Sequence, residues 1–367
     1  MPFAPGNAVN TIDPEHYQRQ LDTKTAALRE AFAPLSPPQP VIFTSPPLHF
    51  RMRAEFRIWH QGDASHYAMT PPGGDKPEPI ASFPIGSSAM VEAMPRLLAA
   101  INATPLLRRK LYAAEFLTTR AGAVLATLIY HRPLGDDWQE AAMEARHRLG
   151  IELVGRSRGQ KRATGPDWVT ETFDVGGRQL SYQQVESGFT QPNAAVNECM
   201  LNWAFEVSRD SPGDLLELYC GNGNFTLALA ANFRRVLATE VAKISVASAL
   251  HNIAANGIDN VAVVRLSSEE FTAAWNGVRP FNRLRHIDLG SYDFSTLFVD
   301  PPRAGLDPAT VALARRFERI IYVSCNPETL RDNLEALRSS HRIEQFAVFD
   351  QFPYTHHLEC GVLLTRI

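Results

Sequence analysis

The sequence predicts an α/β protein. Its second half reads as a doubly wound, largely parallel sheet closed by an antiparallel last strand, and a smaller α+β module precedes it. Two observations carry this. From Gly213 onward, short apolar runs alternate with helical patterns: LLELYC, RRVLATE, VAVVRL, TLFVD, RIIYVSC. The run then ends on EQFAVFD and CGVLLTR. Strand–helix alternation of this kind builds a parallel sheet, and two final strands without a helix between them read as a hairpin. Before residue 186 the strands instead come in pairs around turn signals. A chain of 367 residues is long enough for two cores.

The elements follow in order. Residues 13–32 have the pattern of an amphipathic helix. From Pro34 to Pro47 prolines cluster, which reads as a linker. FRMRAEFRIWH and SHYAMT flank Gln61-Gly62-Asp63-Ala64, a hairpin signal. Residues 88–103 and 136–149 read as helices, and EFLTTR pairs with AVLATLIYH around Ala121-Gly122. IELVGRSRG, DWVTETFDVGG and RQLSYQQVE complete the module. The expected division is 1–47 (helix and linker), 48–185 (α+β module) and 186–367 (doubly wound domain).

Composition excludes several classes. No apolar run approaches the roughly 20 residues of a membrane span. The opening MPFAPGNAVNTIDPEHY lacks the basic and apolar regions of a signal peptide, so a cytoplasmic protein is expected. Cys199, Cys220, Cys325 and Cys360 form no C-x-x-C pair, which argues against an iron–sulfur cluster or a disulfide framework. The net charge of −3 does not advertise a nucleic-acid binder. Its distribution is more informative, because the acidic excess lies after residue 186. Basic residues cluster before it: Arg51, Arg53 and Arg57; Arg108, Arg109 and Lys110; Arg156, Arg158, Lys161 and Arg162. Each cluster alone reads as a solvated patch. Three in one module make a phosphate-binding surface plausible. Trp59, Tyr67 and Phe56 lie near the first cluster and serve either base stacking or the module's own core.

Three strand ends carry the chemistry. The run Ile320 to Val323 stops at Ser324-Cys325-Asn326-Pro327, where Asn326 suits an N-cap and Pro327 the first helical position. Cys325 therefore sits between a strand end and a helix N-terminus, a setting that favours a thiolate. On position alone, nucleophile and buried filler stand level. Leu215 to Cys220 reads as a strand, and Gly221-Asn222-Gly223-Asn224 opens the next helix. Position 226 is Thr, so the full dinucleotide fingerprint is absent. Glu240 ends the following strand, where an acid accepts ribose hydroxyls. The pair suits S-adenosylmethionine better than NAD. Asp300 of FVDPPR falls on the same sheet rim, with a turn aspartate as its bland alternative. Arg303 reads equally as an RNA contact or a structural ion-pair partner.

Together SCNPETL, FVDPPRAGLD, LELYCGNGNF, SGFTQPN and FDQFPYTHHLECGVLL resemble the RNA 5-methyluridine methyltransferases over nearly the whole chain. The resemblance implies a Rossmann-like catalytic domain, an RNA-recognition module and S-adenosyl-L-methionine as cofactor. It implies Cys325 as a nucleophile that attacks carbon 6 of uracil, and Glu359 as the base that removes the carbon 5 proton. Cofactor contacts carry over to Gln191, Tyr219, Asn224, Glu240 and Asp300. Relatives that act on ribosomal RNA usually carry a four-cysteine cluster and often an extra N-terminal β-barrel. This chain has neither, which favours the T-arm of tRNA, with tRNA-like RNAs such as tmRNA. No membrane and no metal are expected, and the protein is expected to act as a monomer. Alternative readings are an RNA cytosine-C5 methyltransferase and a tRNA-binding folding factor with secondary methylation activity. Glu359 beside His356, His357 and Cys360 also raises a metal reading, but the spacing fits no zinc pattern.

Overall fold

Every residue from Ile320 to Val323 is completely buried. A strand that is apolar on both faces must be covered on both, as in the interior of a parallel sheet flanked by helices. That sheet organises the larger part of the protein. In the computed structural model, which describes residues 12–71 and 74–367, the sheet has eight strands. They are β1 (Val41–Phe43), β2 (Asp214–Leu218), β3 (Val236–Thr239), β4 (Val261–Val264), β5 (Phe294–Val299), β6 (Arg319–Ser324), β7 (His341–Phe349) and β8 (Glu359–Arg366). Their order is β1-β7-β8-β6-β5-β2-β3-β4. Strands β6, β5, β2, β3 and β4 run parallel, and β8 is antiparallel to both β6 and β7. This is the doubly wound sheet with an antiparallel last strand that the sequence predicts.

The chain divides into two compact units. The larger comprises Gln18–Ser45, Thr172–Gln183 and Ala195–Ile367. The smaller is built on Pro46–Glu171 and Gln184–Ala194. Two of the divisions fall inside the strands Trp168–Val175 and Arg178–Val185. Most of the opening stretch read for a leader, residues 1–11, lies outside the described residues.

One difference from the sequence reading concerns the first 47 residues. The proline-rich stretch contains a strand: β1 pairs in parallel with β7, Val41 opposite Ala347 and Phe43 opposite Phe349. Prolines flank these three residues but spare them, so their N–H groups remain available to an edge pairing. The helix Tyr17–Phe32 packs into the larger unit, with the Phe32 ring stacked 5.2 Å from that of Phe346.

In the smaller unit a seven-stranded sheet carries the helices Ser88–Ala103 and Asp136–Leu149 on one face. Alternation along Arg53–Gln61 sends Ala54, Phe56 and Ile58 into that core. Trp138 lies so close over Gly155 that a Cβ there would come within 2.4 Å of the indole. Phe56 and Tyr67 are buried, with their rings 5.4 Å apart, whereas Trp59 is 43% exposed. Of the three aromatics considered for stacking on bases, two are core.

Candidate active site

Parallel strands end on one edge, and the sequence-marked residues follow those ends. Tyr219, Cys220 and Gly221 follow β2, Glu240 follows β3, Asp300 follows β5 and Cys325 follows β6. The antiparallel β8 begins on the same edge with Glu359. Read across the sheet, the row is Glu359, Cys325, Asp300, Tyr219–Gly221, Glu240. Neighbouring strands lie about 4.8 Å apart, so the row spans roughly 20 Å. The register between β6 and β8 pairs Ser324 with Cys360. The next position on each strand sets Cys325 opposite Glu359.

At the glycine turn, Tyr219 has φ +63°, a left-handed conformation that costs a bulky residue free energy and marks functional turns. Its hydroxyl is 2.8 Å from Ser268 Oγ. A Cβ added to Gly221, at φ +56°, would meet nothing within 4 Å, so the space above the turn is open. Both Glu240 oxygens accept backbone hydrogen bonds, one from Gly221 N–H at 3.0 Å and one from Ala242 N–H at 2.7 Å. The carboxylate is thereby aimed while keeping lone pairs for further donors. Asn224 exchanges two 2.9 Å amide hydrogen bonds with the buried Asn197, which fixes its side chain.

The other end of the row gathers acids. Burial pushes the Asp300 carboxyl up to about 7. Burial, with Asp300 adding and Arg303 opposing, pushes Glu359 up to about 8. Glu359 Oε2 has no hydrogen-bond partner among the described residues. Burial first, then the Glu359 and Asp300 carboxyls, push the half-buried Cys325 thiol up to about 11, with Arg303 opposing.

This works against the thiolate that the helix start favours. The helix start is as expected: Asn326 caps Pro327–Leu337, its side chain accepting from Glu328 N–H at 3.1 Å. A helix end contributes only about 0.3–1 kcal/mol, less than the roughly 1.4 kcal/mol of one pH unit. Burial beside two carboxyls outweighs it.

The loop after β5 is tied to that helix. The Arg303 carbonyl accepts from Asn326 Nδ2 at 2.9 Å and Thr329 Oγ1 at 3.2 Å, and the amide of Asn333 brackets Leu306. Arg303 Nη2 lies 3.3 Å from His357 Nε2. Burial, with His356, Arg303 and Lys24 adding, lowers His357 to about 4, so near neutral pH its ring is uncharged and accepts from the guanidinium.

The comparisons decide the family. The family model described as tRNA (uracil-5-)-methyltransferase matches residues 16–367. The tRNA/tmRNA (uracil-C(5))-methyltransferase of Pseudomonas entomophila is 56% identical over 356 residues, 97% of this chain and 99% of that one. The protein of the same name from Cellvibrio japonicus is 56% identical over 350 residues, 95% and 96% of the two chains. This chain belongs to the tRNA (uracil-5-)-methyltransferase family. The crystal structure of Pyrococcus abyssi tRNA (uracil-54, C5)-methyltransferase, in complex with S-adenosyl-L-homocysteine, shares the fold at a TM-score of 0.74. It is 21% identical, with 96% of this chain and 85% of that one covered.

As a member of this family the protein is an S-adenosyl-L-methionine-dependent enzyme. The residues present fit the cofactor: open space at Gly221, an aimed carboxylate at Glu240 and a polar strand end at Asp300. Gln191, half-buried, belongs to the smaller unit, whereas the other marked residues all belong to the larger. Among the described residues no group of three or more His, Cys, Asp and Glu could hold a metal ion, and no helix is long and apolar enough to cross a membrane.

Sequence reasoning missed Asn197, Lys24 and the Asn326–Thr329–Asn333 stripe as a unit, with Asn326 read only as an N-cap and His357 only in a metal reading. The stripe was detectable, since its spacing places three polar side chains on one side of an amphipathic helix. The others depend on packing. The basic clusters are largely engaged internally. Arg53 pairs with Glu115, Arg156 pairs with Glu186 through two donors, and Arg162 reaches Asp136. The guanidinium of Arg57 lies 3.4 Å over the Tyr112 ring.

Proposed function

We propose that this protein methylates carbon 5 of a uridine in the T-loop of tRNA, and in tRNA-like RNAs such as tmRNA, through a covalent adduct with Cys325. The observation that carries this reading is the β6–β8 register, which sets a cysteine opposite a buried carboxyl with an unpartnered oxygen.

Carbon 5 of uracil is a poor nucleophile. The Cys325 thiol first yields its proton to solvent; the thiolate sulfur then bonds to carbon 6, and the ring double-bond electrons pass toward carbon 5 and the O4 enolate. Arg303, the cation beside Cys325, supports the thiolate that makes this attack. S-adenosylmethionine, when bound, supplies an electrophilic methyl group on a cationic sulfur. Once carbon 5 carries that methyl, the Glu359 carboxylate takes the carbon 5 proton. The C–H electrons restore the ring double bond, the bond from sulfur to carbon 6 breaks, and Cys325 leaves as thiolate. Burial serves Glu359 here, because a raised pKa strengthens a carboxylate as a base.

Glu240 holds ribose hydroxyls, and Tyr219, Asn224, Asp300 and Gln191 contact the rest of the cofactor. The smaller unit recognises the RNA. A uridine within a folded loop must leave its stack to reach Cys325. A cytoplasmic monomer is the form this reading assigns.

The test is nucleoside mass spectrometry of unmodified tRNA after incubation with protein and S-adenosylmethionine. The reading requires 5-methyluridine at one T-loop position. Appearance of 5-methylcytidine would instead select the cytosine alternative. An unmodified tRNA that is bound but never methylated would leave only the folding-factor alternative.

A further inference from the structure

The helix Tyr17–Phe32 has no residue on the sheet edge, yet it holds the segment that delivers Glu359. Its Lys24 is nearly buried, and Asp350 is completely so, with 9% and 0% of their side chains exposed. The Lys24 ammonium donates to Asp350 Oδ1 at 2.5 Å and to the carbonyls of Phe352 and His357, each at 3.3 Å. Three N–H groups meet three acceptors, the full capacity of an ammonium. Gln20 of the same helix adds a 3.2 Å bond to Asp350 Oδ2.

All three acceptors lie in the connector 350–358 between β7 and β8. It turns through Tyr354 at φ +62° and ends one residue before Glu359. Two routes lead from it to Cys325. Along the chain, the His357 carbonyl that Lys24 holds lies two residues before Glu359. Through space, the His357 ring faces the guanidinium of Arg303.

The energetics point the same way. Well-packed apolar residues often replace a buried ion pair at no cost in stability. What the pair adds is a fixed geometry at three points of the connector, beyond its own short-range bonds such as those from Thr355 to the Phe352 carbonyl.

We infer that Lys24 is a positioning residue for the second half of the reaction, holding the connector so that Glu359 and the His357–Arg303 pair stay aligned on Cys325. The inference rests on the methyl-transfer reading above. The step it governs is proton removal from carbon 5 and release of Cys325, not the attack on carbon 6.

The test compares wild type, Lys24→Arg and the double variant Lys24→Met/Asp350→Leu, which leaves no buried charge unpaired. Turnover on tRNA, the steady-state fraction of denaturation-resistant protein–RNA adduct and Tm are measured together. The double variant is expected to keep its Tm within a few degrees and its KM for S-adenosylmethionine within about twofold. Its kcat should fall about tenfold or more while the adduct accumulates, and Lys24→Arg should recover part of the rate. A folded double variant with kcat within about twofold of wild type would overturn the inference. So would a lower rate with no added adduct, which is the signature of a merely structural role. Should the double variant not fold, adduct accumulation in Lys24→Arg decides: its presence supports the inference and wild-type adduct levels overturn it. A wild type that makes neither 5-methyluridine nor adduct removes the methyl-transfer reading itself, and this inference with it.

Discussion

Buried acids occur in both units, and they are treated differently. In the smaller unit Glu186 is 3% exposed, and burial alone would push its carboxyl up, but Arg156 and Lys161 bring it below the ordinary value. On the edge of the larger sheet Glu359 is also 3% exposed, has an oxygen without a partner and is pushed up to about 8. A buried carboxylate answered by a guanidinium builds structure. A buried carboxyl left under-answered, beside a thiol and another acid, is a candidate reagent. The difference lies in deeper burial of the Glu359 carboxyl together with its missing partner.

The largest test of that contrast is Cys325→Ala. Methyl transfer to tRNA should fall by about 10⁴-fold or more, with Tm nearly unchanged, because the half-buried thiol makes little of the core. Residual turnover near wild type would remove the nucleophile assignment. Glu359→Gln should come next. Labelled RNA should remain attached to the protein through denaturing electrophoresis, because the carbon 5 proton is no longer removed. Normal product release would sink the base assignment.

Stability against pH sharpens the comparison further. Glu359 titrates near 8 in the folded protein against an ordinary 4.5. Its contribution is thus fully present below about pH 4.5 and lost as pH rises through 8. Thermal melts of the ligand-free protein should therefore show Glu359→Gln gaining on wild type between about pH 5 and pH 9. Parallel curves would mean the carboxyl is ionised throughout. The smallest expected effect is in the smaller unit. Arg156→Met leaves the Glu186 carboxylate with only Lys161, costing about 1–3 kcal/mol in denaturant melts. The double variant Arg156→Met/Glu186→Leu should recover most of that loss.

Much of the site was legible because strand–helix alternation implies parallel strands, and parallel strands end on one edge. The runs Leu215 to Cys220, Phe298-Val299 and Ile320 to Val323 each stop at a turn or polar residue, so Gly221, Asp300 and Cys325 could be assigned to one rim from sequence. Glu240 follows from the same rule. Other features were not legible. The three residues of β1 are too short a run to stand out among prolines. Phe56 and Tyr67 look like Trp59 in sequence, and only the packed face separates them. Lys24 and Asp350 lie 326 positions apart, and no local pattern signals their pairing.

The chain's own order of apolar runs and turn residues determined which residues stand at strand ends, since backbone hydrogen bonding and side-chain period are local properties. Tertiary structure alone decided which strand ends are neighbours. It set β8 antiparallel against β6, bringing Glu359 to Cys325, and it gathered two carboxyls and one guanidinium around that thiol, raising a group that the helix end alone would have lowered. The physical reason is that desolvation and charge coupling depend on distance through space, which a one-dimensional pattern does not contain.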